Sequence, residues 1–201
     1  MNLFKKIFNP KKDQVPVYQD ERSAVSIATA DLSLDDIFVH NFIKKGGKFL
    51  YCVNKEELQL NLLQILEENH WEETTCLDEY LRTVINLIGK KSTAKFSGNT
   101  PVLSYCEHLV SENGSVMFSS NQVYQHKLSK LPINFIVIAR TSQLVRTTSE
   151  GLMAIRKNYV HDFPTNISSI KSYMPGKAAD DFLSYGNANA KNLYLLLLED
   201  L

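Results

Sequence analysis

Two short runs in this 201-residue chain combine residue types that can hold a charged ligand: Glu112-Asn113-Gly114-Ser115 and Arg140-Thr141-Ser142. In the first, Asn113 and Gly114 both tolerate positive φ, so the pair is a tight-turn signal that can join a strand at 106–111 to one at 115–120. The same turn can aim backbone N–H groups and the Ser115 hydroxyl at an anionic or hydroxylated ligand, with Glu112 as proton acceptor. These two readings can hold together. In the second run, Arg140 follows an apolar stretch of strand length, and ligands of open α/β sheets bind beyond the carboxyl ends of strands. Its guanidinium can grip a carboxylate or phosphate bidentately, supported by the hydroxyls of Thr141 and Ser142. Against this stands a plainer reading, in which Thr147 and Glu150 cap the next helix and Arg140 faces solvent.

Other chemistries find little support. The five histidines, His40, His70, His108, His126 and His161, are scattered, with no two at helical ligand spacing, so no metal site is expected. Cys52, Cys76 and Cys106 lie far apart, an odd number without any Cys-x-x-Cys spacing, which fits a reducing compartment and neither disulfides nor an iron–sulfur cluster. Cys52, inside Phe49-Leu50-Tyr51-Cys52-Val53, reads as a small buried hydrophobe. There is no Gly-x-Ser-x-Gly elbow, phosphate loop or dinucleotide fingerprint. No cofactor of its own is therefore expected. Glu150, at a helix start, reads as a cap and not as a nucleophile.

The formal charge is +0, and aromatic residues such as Trp71, Tyr80, Tyr105 and Tyr124 form no stripe with basic ones, so nucleic acid is not an expected partner. The charge is unevenly spread. Residues 56–79 carry eight acids and no lysine or arginine, whereas residues 121–177 carry eight bases against Glu150 and Asp162. That second half can face an anion, or it can be a solvated basic face.

The elements that must position these runs follow from periodicity. Residues 1–30 lack apolar periodicity, apart from Phe4, Ile7 and Phe8 at helical spacing among lysines, and read as an arm and linker that can dock on the domain or on a partner. The domain begins near residue 31. Ser33 with Asp36 starts a helix over 33–45 that carries Leu34, Ile37, Phe38 and Phe42 and stops at Gly46-Gly47. A strand at 49–53 follows. Asn54 with Glu57 then caps a helix whose Leu58, Leu62, Ile65 and Leu66 share a face. Next come a strand near 74–77 and a helix opened by Asp78 and closed by Gly89. Strands are expected at 115–120, 133–139 and 193–198, with weaker candidates at 94–97 and 166–170, and helices at 148–159 and 176–185. The runs at 133–139 and 193–198 are apolar on both faces, which indicates parallel strands covered on both sides. An open, mainly parallel α/β sandwich results, with no stretch long enough to cross a membrane and a cytoplasmic location expected. Nothing in the sequence speaks against a homo-oligomer.

The run Val110-Ser111-Glu112-Asn113-Gly114-Ser115-Val116-Met117-Phe118 resembles the Ala-Glu-Thr-Gly-Thr turn and apolar strand of the LUD (lactate-utilisation) domain family. The order after it strengthens the resemblance: Lys130-Leu131-Pro132-Ile133 into the strand, Glu150-Gly151-Leu152 in a helix, then Asp181-Phe182-Leu183-Ser184-Tyr185-Gly186 before Leu193-Tyr194-Leu195-Leu196-Leu197-Leu198-Glu199-Asp200. By this resemblance, to lactate-utilisation protein C and its shorter relatives over about residues 31–201, the fold is a Rossmann-like, mostly parallel sheet with helices on both faces, related to sugar-phosphate isomerases and CoA transferases. The implied role is in oxidising L-lactate to pyruvate beside iron–sulfur partner proteins. Where better-marked members carry Gly-Pro-Ser-Arg-Thr-Ala-Asp-Ile-Glu, this chain has Phe163-Pro164-Thr165-Asn166-Ile167-Ser168-Ser169-Ile170-Lys171, without counterparts of the glycine, the arginine or either acid. A stand-alone protein or enzyme that binds a phosphate, carboxylate or acyl-CoA-type anion is the alternative. A scaffold that docks through Phe4, Ile7 and Phe8 is a third reading.

Overall fold

Apolar residues alternate along the two strands that run through the middle of the sheet, and that alternation sorts the core into two faces. In the computed structural model, which describes residues 33–98, 100–175 and 189–200, the helices are α1 (Leu34–Lys44), α2 (Lys55–Glu68), α3 (Glu79–Leu87), α4 (Ser120–Val123) and α5 (Thr148–Asn158). The strands are β1 (Lys48–Cys52), β2 (Glu73–Thr75), β3 (Lys91–Thr93), β4 (Val102–Tyr105), β5 (His108–Val110), β6 (Ser115–Phe118), β7 (Asn134–Arg140), β8 (Leu144–Val145), β9 (Ser168–Ile170) and β10 (Asn192–Leu198). A six-stranded sheet has the order β1-β10-β7-β4-β2-β3. All its pairs are parallel.

On β7, Phe135, Val137 and Ala139 face one side and Ile136 and Ile138 the other. On β10, Leu193, Leu195 and Leu197 share the first side and Leu196 takes the second. The second side is covered by α2 and α3 through Leu58, Leu62, Leu66, Leu81 and Ile85. The first side is covered by α1, through Phe38 and Phe42, and by a smaller sheet of order β8-β5-β6-β9. That sheet is a hairpin of β5 and β6 with β9 antiparallel and β8 parallel at its margins. Its outer face, Val110 and Met117, packs on Ile155 of α5. Four layers result, each closed by the apolar stripe of its neighbour.

Local signals explain the element ends. Ser33, Asn54, Asp78 and Thr147 each accept a backbone N–H from the first turn of their helix, satisfying a donor that the helix leaves free. Three expectations need correcting or completing. The strand expected at 94–97 lies earlier, at Lys91–Thr93, because the Thr93 hydroxyl accepts the Lys95 N–H and turns the chain out of the ladder. Val102–Tyr105 is a central strand that periodicity did not indicate, and the hairpin at 106–120 belongs to a second sheet. The expected helix at 176–185 and the arm at 1–30 lie outside the described residues. No helix among the described residues is long and apolar enough to cross a membrane.

One buried charge sits at the amino-terminal edge of the sheet. Lys191, 3% exposed, donates from Nζ to the Leu131 carbonyl at 2.8 Å and lies 5.5 Å from the Phe135 ring centre. Burial pushes its ammonium down to about 8. The unfolded chain keeps this proton up to its ordinary value near 10.5, so between about pH 8 and 10 the unfolded state binds more protons and stability rises with pH. Urea unfolding of wild type and Lys191→Met is expected to show the wild type gaining on the order of 1 kcal/mol relative to the variant between pH 7.5 and 9.5. A constant gap across that range would show that the buried lysine does not titrate there.

Candidate functional site

The connections after β1 and β2 run into α2 and α3 on one side of the large sheet, whereas those after β4 and β7 run into the smaller sheet on the other. Strand ends left open between diverging connections form the crevice where open α/β sheets bind ligands. Here a cavity of about 710 Å³ lies at the carboxyl ends of β4, β7 and β10 and the first turns of α2 and α3. Its floor and walls are Leu58, Leu81, Val84, Ile138 and Leu198, and Lys55 and Arg140 are its two cations, with no acidic residue in the lining. Tyr80, Tyr105, Gln59, Ser142 and Gln143 complete it. Both bordering helices present amino-terminal ends, where free N–H groups and the helix dipole favour negative charge. Burial, foremost, pushes the Tyr105 phenol up to about 12, so its hydroxyl stays neutral at physiological pH.

Arg140, expected as the anion-binding residue, is exposed at this cavity and forms no ion pair among the described residues. Its two hydroxyl neighbours have another occupant. Thr141 Oγ1 donates to Asp200 Oδ1 at 2.8 Å, and the Ser142 N–H and Oγ donate to the two Asp200 oxygens at 2.9 and 2.7 Å. Burial by itself would raise the Asp200 carboxyl, but the hydrogen bonds from Ser142 and Thr141 and the nearby Arg140 charge hold it below its ordinary value. These hydroxyls thus already hold a carboxylate of the chain and tie β7 to the end of β10. Gln143 fixes the same corner, accepting the Arg140 N–H at 2.8 Å and donating to the carbonyls of Cys106 and Glu107 at 2.7 and 3.1 Å.

The turn at Glu112-Asn113-Gly114-Ser115 lies elsewhere: none of its residues lines the cavity. It is pressed against α1, with Asn41 Nδ2 donating to the Ser111 carbonyl at 2.8 Å and Lys45 Nζ to the Asn113 carbonyl at 2.6 Å. Tyr173 donates its hydroxyl to the Gly114 carbonyl at 2.7 Å. Glu112 accepts the N–H and hydroxyl of Thr148 at 2.9 and 3.0 Å, which supports the start of α5. Glu150 caps the same helix, accepting the Arg146 N–H at 2.7 Å. The two runs singled out in the sequence are therefore separate places in the fold.

A second cavity, about 770 Å³, adjoins the first and shares Tyr80 and Tyr105 with it. Asn121, Gln122, Tyr124 and His126 give it a more polar wall. Behind that wall lies Glu107, 7% exposed, which accepts Ser119 Oγ at 2.6 Å, Gln122 Nε2 at 3.0 Å and Asn121 Nδ2 at 3.1 Å on one oxygen, and the Tyr159 hydroxyl at 3.2 Å on the other. The segment 163–171 docks on this wall: the Thr165 carbonyl accepts the Ser120 N–H at 2.8 Å and the Thr165 N–H donates to the Ser120 hydroxyl at 2.9 Å, and Asn166 Nδ2 donates to the carbonyls of Tyr124 and His126 at 3.2 and 2.8 Å. Tyr124 is thereby held at φ +49°, a costly conformation for a tyrosine.

Sequence reasoning did not single out Lys55, Gln143, Asp200 or Glu107. Their roles come from strand ends meeting in space, and only the position of Asp200 at the end of an apolar run offered a signal. Cys52, Cys76 and Cys106 are free and buried. Among the described residues no group of three His, Cys, Asp or Glu converges on a point where a metal could sit.

The family model of the LUD domain matches residues 89–198, over half the chain. The chain belongs to the LUD domain family. A solved structure of a DUF162 family protein from Deinococcus radiodurans superposes with a TM-score of 0.60 over 84% of this chain and 99% of that one, at 16% identity, which speaks for the fold alone. No curated protein matches the sequence. The matched LUD segment runs from the end of α3 through β10, so it supplies Tyr105, Ile138, Arg140 and Leu198 to the first cavity, while Lys55, Leu58 and Tyr80 come from the stretch before it.

Proposed function

We propose that this LUD-domain chain is a cytoplasmic component of a system that oxidises L-lactate to pyruvate together with iron–sulfur partner proteins, and that its own part is to hold a small carboxylate or phosphate at Arg140. Family membership supports the first half. The observation that carries the second is the cavity at the carboxyl ends of β4, β7 and β10, where Arg140 and Lys55 are cations without an acidic neighbour in the lining. Electron transfer is left to the partners. The Glu112–Ser115 turn serves this reading as a structural joint, since its carbonyls and carboxylate are engaged by α1, Tyr173 and α5.

A thermal-shift series with lactate, pyruvate, inorganic phosphate, phosphosugars, folates and CoA esters tests it. A ligand at a hundred times its dissociation constant stabilises by about 2.7 kcal/mol, which for a domain of this size raises the Tm by on the order of 5 °C. Arg140→Gln is expected to weaken that ligand roughly 10- to 100-fold, the worth of one charge-assisted contact. A shift with a carboxylate or phosphate that survives Arg140→Gln would remove Arg140 from the site. Co-purification with cluster-bearing proteins tests the system-level half. If the chain binds an anion but captures no such partner, the stand-alone binding protein replaces the lactate-system reading.

A further inference from the structure

We propose that the anion held at Arg140 is the head of a monocarboxylate with an apolar body of about six to eight carbons, lying along the wall made by Leu58, Leu81, Val84, Ile138 and Leu198. This rests on the reading of Arg140 as an anion contact and names the class of molecule that fits around it. A cavity of about 710 Å³ falls in the size range of sites that enclose organic ligands, whereas a three-carbon acid would leave most of it to water against hydrocarbon. The wall is part of the protein core. Leu58, Val84 and Ile138 belong to the cluster beneath α2 and α3 and keep 7%, 6% and 5% of their surface exposed, whereas Leu62, Ile85, Ile136 and Leu196 of the same cluster are at 0%. The residual exposure falls on residues that line the cavity. An apolar chain placed there removes that surface from water, and the gain grows with each methylene added.

The charged residues of the lining are both cations. Arg140, at the carboxyl end of β7, and Lys55, at the start of α2, supply the cations, and Tyr80, 60% exposed, stands at the rim shared with the more polar second cavity. A dianion with a polar body would have to set hydroxyls or amides against the leucine and isoleucine wall without hydrogen-bond partners, which costs free energy. A monocarboxylate with a hydrocarbon tail meets both halves of the lining.

Isothermal titration of the full chain with acetate, butanoate, hexanoate and octanoate tests the inference without altering the protein. Burying a methylene tightens binding about fourfold, so affinity is expected to rise at least 30-fold from butanoate to octanoate, at one site per chain. Octanamide, with the same tail and no charge, is expected to bind at least tenfold more weakly than octanoate. Arg140→Gln should weaken hexanoate and octanoate by a similar factor. If acetate or lactate binds through Arg140 while affinity stays flat or falls with chain length, the apolar body is overturned and the small-anion reading stands. If octanoate binds equally well to Arg140→Gln, or no member binds, the anion contact at Arg140 fails and this inference falls with it.

Discussion

Replacing Glu107 by leucine is expected to cost about 3 kcal/mol or more of folding stability, read as a lower urea midpoint at unchanged slope. The carboxylate gathers four donors from two places: Ser119, Asn121 and Gln122 around α4, and Tyr159 at the end of α5. Its own backbone pairs with Met117 of β6 and with Gln143 after β7. A leucine leaves four donors facing a hydrocarbon side chain; Asn121 is exposed and can turn to water, but Ser119 is fully buried and Gln122 and Tyr159 are half-buried. Glu107→Gln keeps one acceptor oxygen and nearly the same shape, so its loss should be about 1–2 kcal/mol. A loss below 1 kcal/mol for the leucine variant would mean that these donors find other partners and that Glu107 does not knit the layers together.

Gly114→Ala is expected to destabilise by about 3 kcal/mol, measured in the same way. Two costs add. Gly114 has φ +62°, where an alanine costs about 1 kcal/mol, and a Cβ there would stand 2.5 Å from the Phe42 nitrogen and 2.6 Å from the Asn41 carbonyl carbon, a backbone collision worth about 1–3 kcal/mol. Gly89 separates the two. It has φ +77°, and a Cβ added there would meet nothing within 4 Å, so Gly89→Ala should show the conformational cost alone, about 1 kcal/mol. Equal losses at both glycines would show that α1 can move away from the turn. The larger loss at Gly114 would show that this turn is held as a socket for α1.

Much of the fold is legible from local chemistry. Ser33, Asn54, Asp78 and Thr147 mark the starts of four helices, and the two apolar runs at β7 and β10 are parallel strands covered on both faces. What was not legible is non-local. Val102–Tyr105 is a four-residue strand containing a serine, too short to show a period, and it forms because β7 pairs with its whole length and β2 joins on its other side. The division into two sheets also left no trace in periodicity, because the hairpin residues Leu109 and Val116 face the same core as β7. At the site, the sequence shows Arg140 at a strand end, where the structure has it, but not that Asp200 would take up Thr141 and Ser142. Two strand ends 58 residues apart have to meet before that pairing exists.

The place of β10 bears on how the chain can fold as it is synthesised. Made after the other nine strands of the described residues, it enters between β1 and β7 and pairs with both over their whole lengths. Until residue 198 has left the ribosome, β1 has no neighbour among the described strands of the sheet, and the edges of β1 and β7 that β10 will fill keep their backbone hydrogen-bonding groups unpaired. Contacts of such long sequence separation are slow to form, so the nascent chain must wait in a partly assembled state. The strand that closes the sheet also delivers Leu198 to the cavity wall and Asp200 to the end of β7. The candidate site and the finished sheet therefore depend on the same strand, and neither is complete without it.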